Sequence, residues 1–315
     1  MILTITLNPA VDKTACVDEL VPGGLNRLDN VVISAGGKGI NVSKTIKAMH
    51  KESKALGFVA GSNGEYIEHV LDELGISHEF VHVDGITRTN LKVLNKDKEL
   101  TELNEIGPHI TEAQIEALKD TLKANLKPDD IVVLSGSAPY GVKSDIYCEL
   151  GLLAKAKGSK VILDADGDLF KAGLKAEPDV IKPNKYELCQ YFGIDENIDN
   201  KVMIEYAKKW FKDGVKMVVI SLGKDGAYFL NNEKVAKVKA LKIKVNSSVG
   251  AGDAMVAALA YANEMNSDFE TTIKEAVACS AGAVITSGTQ PADYEQVNEL
   301  KQQVEIEYLE GKNEN

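Results

Sequence analysis

Residues 246–258 read NSSVGAGDAMVAA, and no other stretch restricts the architecture of this chain as much. The apolar, β-branched run before it, residues 241–245 (LKIKV), predicts a strand, and the small apolar residues 254–262 predict a buried helix. Gly250-Ala251-Gly252 is then the turn between them. At such a helix start the first backbone N–H groups lack intrahelical acceptors and the dipole is positive. A phosphoryl group can be cradled there wherever glycines let it come close. Asp253 admits two readings. As a carboxylate in a first turn it simply caps the helix. Beside a bound phosphate, however, a fixed negative charge weakens affinity unless its task is to take a proton from a hydroxyl attacking that phosphate. The second reading gives phosphoryl transfer with Asp253 as base.

Two other phosphate loops fit less well. A Walker A loop requires G-x-x-x-x-G-K-[ST], whereas Gly37-Lys38 is followed by Gly39 and lacks the earlier glycine. A Rossmann fingerprint needs glycine where Met255 stands, and it should open a nucleotide domain rather than come late in the chain.

The chain has 315 residues, 44% of them hydrophobic, enough for one large α/β domain or two small ones. A net charge of −11 with no dense Lys/Arg run argues against nucleic acid as a partner, so an anionic substrate must be held by a few local cations. Cys16, Cys148, Cys189 and Cys279 lie far apart with no C-x-x-C pair, which suits reduced thiols in a cytoplasm rather than zinc or a disulfide framework. MILTITLNPAVD has no basic leader, and no apolar run is long enough to span a bilayer. His78 and His82 share a strand face, a spacing that reads as surface rather than metal site.

Strand-like and helix-like runs alternate through most of the sequence, the rhythm of a parallel sheet covered by helices. Thr111 and Gln114 form a capping box opening one helix. The expected close is a pair of helices, residues 269–286 and 292–307, before a solvated tail at 310–315. Residues 12–34 and 87–104 break the rhythm with short polar-alternating strands and no helix between them. They predict a small antiparallel sheet acting as a lid over an α/β core made of 1–11, 35–86 and 105–309, keeping water from a reactive phosphoryl group.

Four further clusters bear on chemistry. Gly36-Gly37-Lys38-Gly39-Ile40-Asn41 is a second glycine turn entering a helix; it is either a plain turn or a place for a sugar against the backbone, with Asn41 offering donor and acceptor. Arg88, Asn90 and Lys92 alternate onto one strand face. Such residues are either a solvated face or, over an anionic substrate, a phosphate grip. Asn184 and Glu187 open a helix, where the glutamate suits the dipole or holds a hydrated Mg²⁺ that accompanies a nucleotide. Ser221-Leu222-Gly223-Lys224-Asp225-Gly226 reads as a hairpin turn compatible with nucleotide phosphates.

Together these pieces resemble the ribokinase-like, or PfkB, family of carbohydrate kinases from the first strand to the last helices. TLNPAVD (6–12), GGKGIN (36–41), SGSAP (135–139), KPN-x-x-E (182–187), SLGKDGA (221–227) and SVGAGDAM (248–255) occur in family order. TLNP with GGKGIN and TRTNLK is similar to the branch acting on phosphorylated ketohexoses. The resemblance implies a three-layer α/β/α fold with a mainly parallel central sheet and a β-sheet lid, often used as the contact of a homodimer. It implies ATP and Mg²⁺, with Asp253 as base and Gly250, Ala251 and Gly252 as the anion hole. Asp12, Gly36, Gly37, Lys38, Asn41 and Ser137 are implied at the sugar, and Arg88, Lys92 and Asn104 near its phosphate. Asn184, Ser221, Gly223, Gly226, Ser248, Val249, Gly250, Gly252 and Cys279 are implied at the nucleotide, with Glu187 on the metal through water. The implied reaction phosphorylates the C6 hydroxyl of fructose 1-phosphate; tagatose 6-phosphate is the alternative sugar, and a non-catalytic sugar-phosphate sensor the alternative of another class. The chain departs from the family at Ala138 and Tyr140, where leucine and a second proline are usual, which bears on the sugar pocket.

Overall fold

The structure is a computed structural model describing residues 1–97, 99–247, 249–286 and 288–311. β1 (Ile2–Thr6), β2 (Ala10–Cys16) and β3 (Asp29–Gly36) lead into α1 (Lys38–Ala48), β4 (Ser53–Val59), α2 (Gly61–Glu73) and β5 (Ser77–His82). β6 (Arg88–Leu94) and β7 (Leu100–Asn104) precede α3 (Glu112–Asn125), β8 (Ile131–Ser135), α4 (Ile146–Ala156), β9 (Lys160–Asp164), α5 (Gly167–Gly173), β10 (Val180–Ile181), α6 (Lys185–Phe192) and α7 (Asn200–Ala207). β11 (Met217–Ser221), β12 (Ala227–Asn231), β13 (Val235–Val238), α8 (Ala251–Glu264), α9 (Phe269–Ile285), α10 (Tyr294–Lys301) and β14 (Ile306–Glu310) complete the described chain.

Ten strands form one sheet in the order β14-β13-β12-β11-β10-β9-β8-β1-β4-β5. From β11 to β5 all pairs are parallel, and β12, β13 and β14 add an antiparallel edge. β1 (ILTIT) and β8 (IVVLS) are wholly buried, as central strands covered on both faces must be. Alternate residues supply the two cores: Leu3 and Ile5 meet Leu118, Leu150 and Leu188 on one side, while Ile2 meets Val42, Leu259 and Ile273 on the other. α8 is buried almost all round, and its alanines let it lie close between α1 and α9. Among the described residues no helix is long and apolar enough to cross a membrane.

The second sheet has the order β3-β2-β6-β7. Its first two strands begin at Ala10 and end at Gly36, a little beyond the expected 12–34. β2 pairs with β6 in parallel rather than antiparallel, because the chain leaves this sheet after β3, runs through α1, β4, α2 and β5, and returns in the original direction. β3 and β7 add antiparallel edges.

Two other expectations fail for identifiable reasons. Residues 241–245 form no strand. Leu241 and Ile243 do pack on the core while Lys242, Lys244 and Val245 stay exposed, so the alternation is real but no neighbouring strand offers a ladder. The last helix stops at Lys301, and the chain turns into β14 on the sheet edge, pairing with β13; Glu310 belongs to that strand and not to a tail. Thr111 and Gln114 form the expected capping box at α3.

Candidate active site

The residues that matter lie just past the C-terminal ends of parallel strands, where side chains of several strands converge. Thr6 ends β1 and Asn8 follows it, Ser135 ends β8 and Ser137 follows it, Asp164 ends β9, Lys182 and Asn184 follow β10, and Ser221 ends β11. The order reverses at β1, which has β4 on one side and β8 on the other. A cavity of about 160 Å³ opens at that switch, lined by Thr6, Asn8, Lys38, Arg88, Ser135, Gly136, Ser137 and Asp166. A larger cleft of about 670 Å³ lies over the neighbouring strand ends and takes in Asn184, Ser221, Gly223, Gly226, Ala251 and Gly252.

Asp253 follows Gly252, which lines the cleft, and is hydrogen-bonded to α1, whose Lys38 lines the cavity. Gly250 caps α8 with φ +87°, a left-handed conformation that glycine adopts without strain, and Asp253 falls in the first turn beyond it. Asn41 on α1 donates from Nδ2 to Asp253 Oδ2 at 2.8 Å. Burial pushes the Asp253 carboxyl up to about 6; nearby Asp164 adds to the rise, while Lys38 and the Asn41 hydrogen bond oppose it. A carboxylate that only capped the helix would face its own N–H groups, as Asp268 does at α9.

Two lysines share one carboxylate beside this turn. Asp164 takes Lys182 at 3.1 Å through Oδ1 and Lys38 at 3.3 Å through Oδ2. Burial pushes the Asp164 carboxyl up, but the two ammonium groups outweigh it and hold it below the usual carboxylate value. Asp164 in turn raises Lys38, the largest influence on that ammonium. A Cβ placed on Gly252 would lie 3.6 Å from Lys182 Nζ, so the cluster, with one positive charge in excess, lies beside the turn.

On the sugar-side turn, Gly37 caps α1 at φ +112°, and a Cβ on Gly36 would come 2.5 Å from Asp12 Oδ2. Asp12 is buried, with Asn90 donating to Oδ1 at 3.0 Å and Lys92 to Oδ2 at 3.3 Å. The charge of Lys92 is therefore committed to Asp12. Arg88 donates from Nη2 to the Asn8 carbonyl at 3.1 Å, and its guanidinium lines the cavity; burial lowers its pKa, with Asp12 opposing. Among the described residues, Thr6 Oγ1, Asn8 Oδ1, Asn41 Oδ1, Arg88 Nε, Asn90 Oδ1 and Ser135 Oγ are buried without partners. Buried polar atoms normally find partners, so this concentration points to a polar ligand rich in hydroxyl or phosphoryl oxygen.

On the cleft side, Asn184 and Glu187 cap α6 reciprocally, each accepting from the other's backbone N–H at 2.8 Å. Burial pushes the Glu187 carboxyl up. One Glu187 oxygen is thus spent on the helix, and no group of three or more His, Cys, Asp or Glu among the described residues could hold an ion. Such a donor set fits a Mg²⁺ that arrives on phosphates and keeps most of its waters.

The structure brings together Asp253, Gly250, Ala251, Gly252, Asn41, Lys38, Asp12, Gly36 and Gly37, and lines the cavities with Arg88, Ser137, Asn184, Ser221, Gly223 and Gly226. Val249 sits half-buried beside the turn, and Ser248 lies outside the described residues. Asn104 is exposed on β7 opposite Asn90 and lines neither cavity. Cys279 points into the core, 3.9 Å from Met49 Sδ, because one step along α9 rotates the side chain by about 100°; Ser280 lines the cleft instead. Sequence reasoning missed Lys182, Asp164, Thr6, Asn8, Ser135 and Asp166. Their shared signal is position, directly at or after a buried parallel strand.

Comparison with known proteins agrees with this geometry. Residues 3–296 match the family described as pfkB family carbohydrate kinase. The chain is 36% identical over 309 residues to a 1-phosphofructokinase of Borreliella burgdorferi, covering 98% of each. It is 33% identical over 309 residues to a D-tagatose-1-phosphate kinase of Bacillus licheniformis, covering 98% of this chain and 100% of the relative. Its fold matches the crystal structure of phosphofructokinase-2 from Escherichia coli in complex with substrates and products, with a TM-score of 0.91 and 27% identity over 96% of this chain and 98% of that one. With the match running through both cavities and the Gly250 turn, this chain belongs to the pfkB family of carbohydrate kinases, as a phosphotransferase with an alcohol group as acceptor and a sugar phosphate as substrate.

Proposed function

We propose that the protein transfers the γ-phosphoryl group of ATP to the C6 hydroxyl of fructose 1-phosphate, giving fructose 1,6-bisphosphate and ADP. The observation that carries this reading is Asp253. It is a buried carboxylate whose pKa burial pushes up to about 6, next to a glycine turn that opens on one cavity and held by a helix that lines the other. In this reading Asp253 accepts the C6 hydroxyl proton as that oxygen bonds to the γ-phosphorus. The bond from γ-phosphorus to the bridging oxygen breaks, and ADP leaves with the electron pair. The N–H groups of Gly250, Ala251 and Gly252, with Lys38 and Lys182, stabilise charge on the equatorial oxygens. Mg²⁺, when bound, would supply further charge neutralisation on the phosphates, and Glu187 would hold one of its waters.

Arg88, Ser137 and the partnerless hydroxyls of Thr6 and Ser135 suit the sugar phosphate, the guanidinium giving a forked contact. Asp12 suits the sugar hydroxyls, with Lys92 holding it in place rather than gripping phosphate directly. Asn184, Ser221, Gly223 and Gly226 serve the nucleotide, with Ser248, Val249, Gly250 and Gly252 at its phosphates. The second sheet acts as a lid, and the apolar residues it exposes, Val31, Val32, Ile33, Leu100 and Leu103, suit a second copy of the chain, giving a homodimer.

Tagatose 1-phosphate is the second reading, favoured by the relative named for it; it differs from fructose 1-phosphate only in configuration at C4. Following ADP release with fructose 1-phosphate, fructose 6-phosphate, both tagatose phosphates and free fructose tests the proposal. Fructose 1-phosphate should give the highest kcat/KM, with the new phosphate at C6 by phosphorus NMR. No turnover on that sugar would overturn the reading.

A further inference from the structure

Lys44 has no part in the reaction as described, yet it is a buried lysine on the same helix as Lys38 and Asn41. Its Nζ donates to the Ala35 carbonyl at 2.8 Å and reaches Thr289 Oγ1 at 3.4 Å. Among the described residues no carboxylate pairs with it. The charges it feels are Asp12 on β2, Asp253 on α8 and Lys92 on β6, with burial the largest influence, lowering its pKa to about 8. An unpaired ammonium in the interior is costly, and methionine would fill the same space without that cost. Something other than stability accounts for it.

Its two partners belong to the two turns of the site. Ala35 immediately precedes Gly36 and Gly37, the sugar-side turn. Thr289 backs the other: a Cβ on Gly250 would lie 3.4 Å from Thr289 Cα. The strand of chain leading to Gly250 is fastened to the same region, with Asn246 N and Ser247 N both donating to the Val284 carbonyl at the end of α9. α1 thus sends Lys38 to Asp164, Asn41 to Asp253 and Lys44 to the support behind Gly250.

We infer that Lys44 is a positioning residue for phosphoryl transfer, its ammonium clamping the sugar-side turn at Ala35 to the Thr289 segment that backs the Gly250 anion turn. Reacting groups gain most of their rate from being held in register, and a displacement of about 1 Å can cost 10²-fold. The clamp acts on the distance between acceptor and donor, not on the affinity of either substrate alone.

This inference rests on the kinase reading above, and the test separates the two. With fructose 1-phosphate and ATP, Lys44→Met should lower kcat about 10- to 100-fold while both KM values stay within about threefold. Its melting temperature should equal or exceed the parent's, since a buried charge is gone. Lys44→Arg, which keeps a cation in place, should recover most of the lost kcat. Thr289→Val, a milder change at a half-buried site, should lower kcat in the same direction. Parental kcat in Lys44→Met or in Thr289→Val overturns the inference, as does an Arg variant no better than Met. Hydrogen exchange at the Gly250–Asp253 amides, followed without substrate, reads the clamp independently of activity: faster exchange in Lys44→Met is expected, and unchanged protection overturns it. An inactive parent enzyme would instead strike the function reading and leave the exchange result standing.

Discussion

At Asp253 one physical cause, removal from water, has two measurable consequences. Burial pushes the carboxyl up to about 6, so with Asp253 as the proposed base kcat/KM should hold level above pH 7 and fall tenfold per pH unit below 6 as that base is protonated. A profile flat to pH 5 would remove Asp253 from that role. The same shift costs stability. The folded value lies above the unfolded one, so the folded state binds the extra proton between about pH 4 and 6, and at neutral pH the ionised side chain costs about 3 kcal/mol. Asp253→Asn should therefore melt a few degrees higher at pH 7.5 by calorimetry while losing about 10²- to 10⁴-fold in kcat. Arg88 divides the kinetics differently. In the proposed reading, Arg88→Ala should raise the KM for the sugar phosphate at least tenfold with kcat little changed, because the guanidinium lining the cavity would grip a group that takes no part in bond making.

At the scale of elements, two helix starts of the same chemistry differ only in where they lie. Thr111 and Gln114 cap α3 away from both cavities, and Asn184 and Glu187 cap α6 beside the larger one. Thr111→Ala should cost about 1 kcal/mol in urea unfolding and leave kinetics alone, whereas Asn184→Ala should cost a similar amount and also raise the KM for ATP. The α3 box was legible in sequence because a cap is a local interaction with fixed spacing, whereas at α6 the sequence reading placed Asn184 and Glu187 at the helix start without their reciprocal cap. The Gly250 turn was legible too. Residues 241–245 misled because alternation reports which side chains face inward but not whether a partner strand is within reach. Lys182 was overlooked beside Asn184 since its importance comes from Asp164 and Gly252, which are remote in sequence. Cys279 was one residue out, since nothing in a run of small apolar residues marks which face of α9 meets the cleft.

For the whole molecule, the layered α/β body was legible from rhythm alone, while the hand of pairing in the smaller sheet was not, because β2 and β6 are brought together only by the path between them. The apolar exposure of that sheet carries the dimer proposal. Val32→Lys with Ile33→Lys should turn a dimer into a monomer in light-scattering chromatography, and an unchanged mass would move the interface elsewhere. The parallel β2 and β6 pair also limits how such enzymes can be recombined. Its two strands sit on either side of α1 to β5, so a chimaera made by a single crossover anywhere in that interval inherits half of its cover from each parent. Transplanting this sheet between relatives takes two separate grafts, residues 10–36 and 88–104, with the intervening helices left native.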